Sequence, residues 1–354
     1  MDISQLRLHN QRLVGGHFST PLELVQWFGA VQAQEYYWSL WALGIRLPAG
    51  VTEQSVAQAI DDRTIVRTWP MRGTIHYIPA QDVSWMQALL ARRVNVKSAY
   101  RLKSLNLTPD VLALCGKVFK RALSGGKQLT RQDLYAALLQ QGVDPSQSRG
   151  LHALSYWAQE SLICFGPRQG KQPTYVLLHE WAPNQRALTG DQALAELARR
   201  YFRSHGPATV RDFAWWSGLT LGESRKAASL VQQEFARHDQ SGSEYWLPLD
   251  FAPKNHGPTT LLLPRFDEYT VAYKDRSAAV SNDLLLQTGY GVNNNNIVVD
   301  GRIVGMWNRS LKKDAVTLTC MPLQPLSLAV QAQIAAQAKR YGGFLGLSTA
   351  VEYK

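Results

Sequence analysis

Cysteine is nearly absent from this 354-residue chain: Cys115, Cys164 and Cys320 stand far apart and odd in number. That count and spacing exclude a zinc ribbon or an iron–sulfur cluster of the usual kind, and fit buried thiols in a reducing compartment. The eight histidines show no metal-ligand spacing. Long apolar runs are missing too. No stretch approaches the roughly 18 apolar residues of a membrane span, and Met1–Gly16 lacks the apolar run of a secretory signal. Acidic residues are short relative to basic ones, 27 against 38, leaving a formal charge of +11. Such an excess points to a polyanionic partner, because clustered Lys and Arg gain affinity by displacing condensed counterions. A generally basic surface is the plainer alternative. What the chain does have is 45% hydrophobic residues and eleven tryptophans, enough for well-formed cores rather than disorder.

One compound pattern recurs three times: a capped helix, a second helix, then two short strands joined by a basic tip. The clearest copy runs from Leu129 to Leu178. Thr130 reads as an N-cap before a helix over Arg131–Gln141, and Ser148–Glu160 as the second helix. Leu162–Phe165 and Tyr175–Leu178 read as strands, with Arg168 and Lys171 in the turn between them. That is the pattern of a winged helix, a module whose second helix and basic hairpin sit against duplex nucleic acid.

The first copy opens with Thr20, Pro21 and Glu23 as N-cap, N1 and N3 of a helix. Val56–Ile60 predicts another helix, and Thr64–Thr68 and Thr74–Ile78 a hairpin turning at Pro70-Met71-Arg72-Gly73, with Arg67 and Arg72 near its tip. A long helix follows from Pro79. The third copy begins with Asp191–Ser204, breaks at His205-Gly206-Pro207, and restarts behind Thr209 as Val210–Ser217 and then Leu221–Phe235. Its strand is Tyr245–Leu249, after a turn at Asp239–Ser243. Beyond about Pro253 the chain turns β-rich: Thr260–Leu263, Tyr269–Tyr273, Ile297–Val299 and Ile303–Trp307, with Asp300-Gly301 as a hairpin turn. Asn293–Asn296 reads as a mobile polar loop, and Gln324–Tyr341 as a late helix. The expected fold is therefore α+β, three tandem winged-helix modules (1–125, 126–185, 186–253) and a C-terminal β-barrel-like domain (254–354).

The sharpest chemical feature is Gln32-Ala33-Gln34. On a helix the two amides would point about 200° apart, so they share a face only in an extended or turning stretch. Paired amides offer donors and acceptors without charge, suited to holding a water or a base edge; polar loop residues bonded to backbone are the plainer reading. Trp69 and His76 flank the first hairpin as possible contacts to DNA, or else as a core tryptophan and a hydrogen-bonded strand residue. Arg67, Arg72, Arg168, Lys171, Arg211, Arg225 and Lys226 are candidate phosphate contacts, and Lys254 and His256 fall in a further candidate hairpin. Asp267 and Glu268, beside Arg265 and before Lys274, Asp275 and Arg276, read as a structural ion-pair network. Gly125-Gly126-Lys127 is too short for a P-loop.

Gln32-Ala33-Gln34 is followed in order by Arg67-Thr68-Trp69-Pro70-Met71-Arg72-Gly73-Thr74-Ile75-His76, His205-Gly206-Pro207-Ala208-Thr209, Leu263-Pro264-Arg265-Phe266-Asp267-Glu268-Tyr269, and Val299-Asp300-Gly301-Arg302 with Gly305 and Trp307. In this combination the chain resembles, over nearly its whole length, the bacterial winged-helix DNA glycosylases of the AlkZ and YcaQ (AlkX) kind. Gln-x-Gln alone would carry no weight; the separated motifs together are specific. The resemblance implies a C-shaped arrangement of the three modules, excision of N-alkylated purines and unhooking of interstrand crosslinks. Gln32 and Gln34 match the Gln-x-Gln branch rather than the one with Gln-x-Asp or Gln-x-Glu.

Neutral amides suit that chemistry. Alkylation at purine N7 already weakens the C1′–N9 bond, so no acid need protonate the leaving base. What remains is to place a water against an oxocarbenium-like sugar. The implied roles are Gln34 holding the water and Gln32 orienting it or touching the sugar. A monofunctional base-excision glycosylase is expected, acting on double-stranded DNA with N7-alkylguanine, N3-alkyladenine or crosslinks, as a cytoplasmic, nucleoid-associated monomer without metal or cofactor. The competing reading is a non-enzymatic winged-helix transcriptional regulator; a nuclease lacks the acidic metal ligands.

Overall fold

The computed structural model describes residues 1–16, 18–253, 257–280 and 294–354. By its internal contacts the chain divides into two compact units, one formed by Met1–Ala57 with Ala195–Lys354 and the other by Gln58–Leu194. No helix among the described residues is long and apolar enough to cross a membrane.

The N-terminal part of the first unit holds α1 (Ile3–Asn10), α2 (Pro21–Phe28), a short strand β1 (Val31–Gln32) and α3 (Tyr36–Gly44). Capping chemistry sets α2 as anticipated: the Thr20 hydroxyl accepts from the Glu23 N–H, and Pro21 occupies the first turn. Gly29, at φ +80°, ends it by donating to the Val25 carbonyl. The chain passes between units within α4 (Glu53–Asp61) and, on its return, within a later helix.

The second unit contains β2 (Ile65–Met71), β3 (Thr74–Pro79), α5 (Val83–Ser104), α6 (Pro109–Leu123), β4 (Leu129–Thr130), α7 (Arg131–Gln140), α8 (Arg149–Gln159), β5 (Ile163–Gln169), β6 (Gln172–Leu177) and α9 (Leu178–Trp181). Its strands lie side by side in the order β3-β2-β5-β6-β4. Thr130 and Asp133 form a full capping box on α7. Both hairpins are tighter than the sequence suggests. β2 continues through Pro70 and Met71 across a bulge, so only Arg72 and Gly73, at φ +54° and +74°, make the turn. β5 likewise runs to Gln169, leaving Gly170-Lys171 as the tip.

The chain then returns through α10 (Gly190–His205), α11 (Val210–Ser217) and α12 (Leu221–Leu230), a hairpin of β7 (Phe235–Gln240) and β8 (Ser243–Pro248), β9 (Thr260–Leu263), α13 (Glu268–Val271), β10 (Asn296–Val299), β11 (Arg302–Leu311), β12 (Ala315–Pro322), α14 (Leu328–Leu345) and β13 (Ser348–Tyr353). Capping boxes at Thr209/Asp212 and Thr220/Glu223 start α11 and α12. The last five strands form a sheet in the order β13-β12-β11-β10-β9, curled into a half-barrel with α14 packed on it.

Three expectations are corrected here. Leu221–Phe235 is not one helix: α12 ends at Leu230, and Phe235 opens β7 because its ring packs beside Phe202 and Trp246. Tyr269–Tyr273 is not a strand: Asp267 caps the Tyr269 N–H at 2.9 Å and sets a helical turn whose residues are all buried, which erases any amphipathic signal. Asn295 and Asn296 are not a mobile loop. Both are buried, and the Asn295 side chain accepts from the Arg265 N–H and donates to the Trp307 carbonyl. β12 and β13 were not anticipated, although burial alternates along β12, with Val316, Leu318 and Cys320 buried and Ala315, Thr317 and Thr319 only partly so. Asn293, Lys254 and His256 lie outside the described residues.

Candidate active site

The site is built around the chain leaving α2. Ala30 and Val31 are buried, Gln32 is 8% exposed, Ala33 is fully buried and Gln34 is exposed. The backbone is extended through Val31 and Gln32 and bends at Gln34, so the two glutamines do not lie on a helix. This is the non-helical backbone that two cooperating amides require.

The Gln32 main chain is held from behind by a carboxylate. Glu268 Oε1 accepts the Gln32 N–H at 2.7 Å, joining residues 236 apart in the chain. Its other oxygen accepts the Trp216 indole N–H at 3.1 Å and lies 3.3 Å from His205 Nε2. Glu268 is 1% exposed and His205 is completely buried. The far nitrogen of His205, Nδ1, faces the Ser204 hydroxyl at 2.8 Å and the Tyr201 carbonyl at 3.3 Å. The imidazole stacks on Tyr201, with ring centres 4.6 Å apart, and meets the Phe28 edge at 5.2 Å. Burial lowers the His205 pKa despite the neighbouring carboxylate, which works in the opposite sense. Burial raises the Tyr201 and Tyr273 phenols far above their ordinary range, so both stay protonated.

Glu268 is placed by the residue before it. Asp267 forms a two-pronged bond to Arg46, both N–O distances being 2.7 Å. Every N–H of Arg46 is used: Nε donates to the Gln11 carbonyl, Nη1 also to Ala42, and Nη2 also to Gln11 Oε1. The neighbouring loop at His205-Gly206-Pro207 is tied to α1, where Arg7 Nε donates to the Pro207 carbonyl and Asn10 to the Gly206 carbonyl. Arg7 lies flat on Tyr273 at 3.5 Å and reaches Asp212 at 3.8 Å. Of the ion-pair network expected around Asp267 and Glu268, Asp267 pairs with Arg46, while Glu268 contacts the imidazole of His205.

The second unit places the hairpin residues differently from one another. Arg72 stands half-buried at the tip and approaches His76 Nε2 at 3.4 Å. Arg67 is buried, not near the tip: β2 pairs it opposite Phe165, and its guanidinium lies 4.4 Å from that ring. Trp69 is buried and stacked on the same ring, and His76 is fully buried with Nδ1 3.1 Å from the Thr74 carbonyl. Arg168, whose guanidinium donates to the Lys171 carbonyl, and the exposed Lys171 occupy the other tip. In the first unit, Arg211, Arg225 and Lys226 are exposed. Arg211 and Arg225 line, with Arg237, a cavity of about 430 Å³ between α11, α12 and the β7–β8 hairpin.

The contacts of Glu268 with the Gln32 segment and of His205 with Glu268 were invisible to local reading. Their only sequence signal was membership of the ordered motifs at 205–209 and 263–269. Two amides on a non-helical segment, a buried carboxylate holding its backbone, and exposed cations elsewhere in the chain are the features set against known proteins. Residues 25–344 match the family described as DNA glycosylase AlkZ-like, and the chain belongs to that family, whose members are hydrolases acting on N-glycosyl bonds. A Streptomyces sahachiroi protein described as an interstrand DNA cross-link repair glycosylase is 25% identical over 299 residues, covering 78% of this chain and 79% of the relative. The solved structure of Streptomyces sahachiroi DNA glycosylase AlkZ superposes with a TM-score of 0.79, covering 100% of this chain and 98% of that one. At 20% sequence identity that similarity speaks for the fold.

Proposed function

We propose that the protein is a monofunctional glycosylase that hydrolyses the N-glycosidic bond of N-alkylated purines, N7-alkylguanine and N3-alkyladenine, in duplex DNA, and unhooks interstrand crosslinks. Gln34 holds the attacking water and Gln32 orients it or contacts the sugar. The observation that carries this reading is the non-helical Gln32-Ala33-Gln34 segment, leaving a short strand at Gln32 and bending at the exposed Gln34, in a member of a DNA glycosylase family. A cationic alkylated base leaves without an acid, so water placement is the main chemical demand on the protein. Crosslink unhooking is supported by the name of the relative at 25% identity.

In this reading residues 1–125, 126–185 and 186–253 act as three winged-helix modules ahead of the β-rich segment. The protein works as a monomer on the nucleoid. Arg72, Arg168, Lys171, Arg211, Arg225 and Lys226 contact phosphates, whereas buried Arg67, Trp69 and His76 support the first hairpin. The test is release of 7-methylguanine from methylated duplex DNA. Gln34→Ala should slow release by at least about 100-fold, the cost of misplacing a reacting group; undiminished release removes Gln34 from the water site. Tight binding to unmodified duplex with no base released by the wild type would favour a regulator instead.

A further inference from the structure

Burying a carboxylate against the main chain of Gln32 demands a reason. Removing a charge from water is costly, and a fold needing only to fill this space would do so with apolar groups. The hydrogen bonds explain the choice of a carboxylate. The Gln32 amide N–H and the Trp216 indole N–H can only donate, and they fall on different oxygens of Glu268. A glutamine here would turn its NH₂ against one of these donors. We propose that Glu268 is a positioning residue for base excision, its carboxylate fixing the main chain at Gln32 so that the Gln32 and Gln34 amides keep their places around the water. The proposal rests on the reading of those two amides as the water site.

The scaffold behind Glu268 fits such a role. Arg46 locks Asp267 in two directions, Asp267 caps the turn that carries Glu268, and His205 and Trp216 close around its second oxygen. This block reaches the segment 31–34 in the same unit through the bond to the Gln32 N–H, at 2.7 Å. Its partner is the backbone of Gln32 and not its amide, so the contact survives replacement of the Gln32 side chain. That property makes the role separable by experiment.

Single-turnover release of 7-methylguanine would be measured for wild type, Glu268→Gln, Gln32→Ala and the double variant, with duplex affinity and urea midpoint alongside. Glu268→Gln should excise about 100-fold more slowly while duplex Kd stays within about 2-fold, since a misaligned reacting group loses rate and not binding. In the Gln32→Ala background the same change should cost clearly less than in the wild type, because only the Gln34 amide is then left to be misplaced. Wild-type excision by Glu268→Gln, or an equal loss in both backgrounds, overturns the proposal. If Glu268→Gln lowers the urea midpoint enough to unfold, Trp216→Phe replaces it. That variant removes one donor and so loosens the carboxylate that holds the Gln32 N–H; it should lose about 10-fold, and less when Gln32 is absent, and an unchanged rate overturns the proposal. Full activity of Gln32→Ala would strike the water-site reading itself, whereas a slow Gln32→Ala with a fast Glu268→Gln strikes the positioning role alone.

Discussion

Asp267→Ala should destabilise the unit formed by residues 1–57 and 195–354 more than almost any other single change. Asp267 is completely buried and Arg46 is 1% exposed, so neither charge can turn to water when the other is removed. The variant leaves a guanidinium with two N–H groups stripped of acceptors at 2.7 Å. Breaking a buried pair from one side costs about 3–5 kcal/mol, and loss of the cap on the Tyr269 N–H adds about 1 kcal/mol. The sum, about 4–6 kcal/mol, is a large part of the roughly 5–15 kcal/mol that holds a domain folded. Urea unfolding followed by the fluorescence of buried Trp41, Trp216 and Trp307 reads it directly. The double variant Arg46→Met with Asp267→Leu strands no charge, so it should lose far less than the single one. A loss below about 1 kcal/mol for Asp267→Ala, or a double variant worse than the single, would refute the idea that this pair anchors the turn bearing Glu268.

Three further outcomes are expected. His205 has a folded pKa below that of the unfolded chain, about 6.5. Its contribution to stability is therefore present above about pH 6.5 and lost as pH falls from there towards the folded value, where the unfolded chain binds the extra proton; urea midpoints measured across this range should fall, and fall less in His205→Gln. Gly44→Ala would set a methyl carbon 2.5 Å from a Phe344 ring carbon, costing about 1–3 kcal/mol by overpacking; thermal unfolding should show the loss and Phe344→Leu should restore part of it. If Arg168 and Lys171 meet phosphates, replacing either by Ala should lower the slope of log affinity against log salt by about 1 without changing sequence preference; an unchanged slope removes that residue from the DNA face.

Local chemistry was legible where local forces decide structure. Thr20, Thr130, Thr209 and Thr220 all cap helices in the way their sequence neighbours imply, because the orphan N–H groups lie within three residues of the cap. Asp300-Gly301 likewise turns with both residues at positive φ. Reading failed where burial removed the amphipathic contrast: α13 is buried throughout and was taken for a strand, and Phe235 completed a helical period while belonging to β7. Arg67 reads from sequence as a phosphate contact near the hairpin tip, yet the pairing of β2 with β5 buries it against Phe165; Trp69 and His76, whose plainer readings were a core tryptophan and a hydrogen-bonded strand residue, are likewise buried.

The sequence by itself determined the cationic balance, the capped helices, the turns and, through the ordered motifs, the family. It also singled out Gln32 and Gln34, since a pair of amides two residues apart is a local fact. Only the tertiary structure decided what stands behind them. Gln32 and Glu268 are 236 residues apart, and Arg46 and Asp267 are 221 apart. No periodicity or propensity spans such distances; the contacts arise because apolar burial collapses these segments onto one core, and each buried donor and charge there must then find its partner.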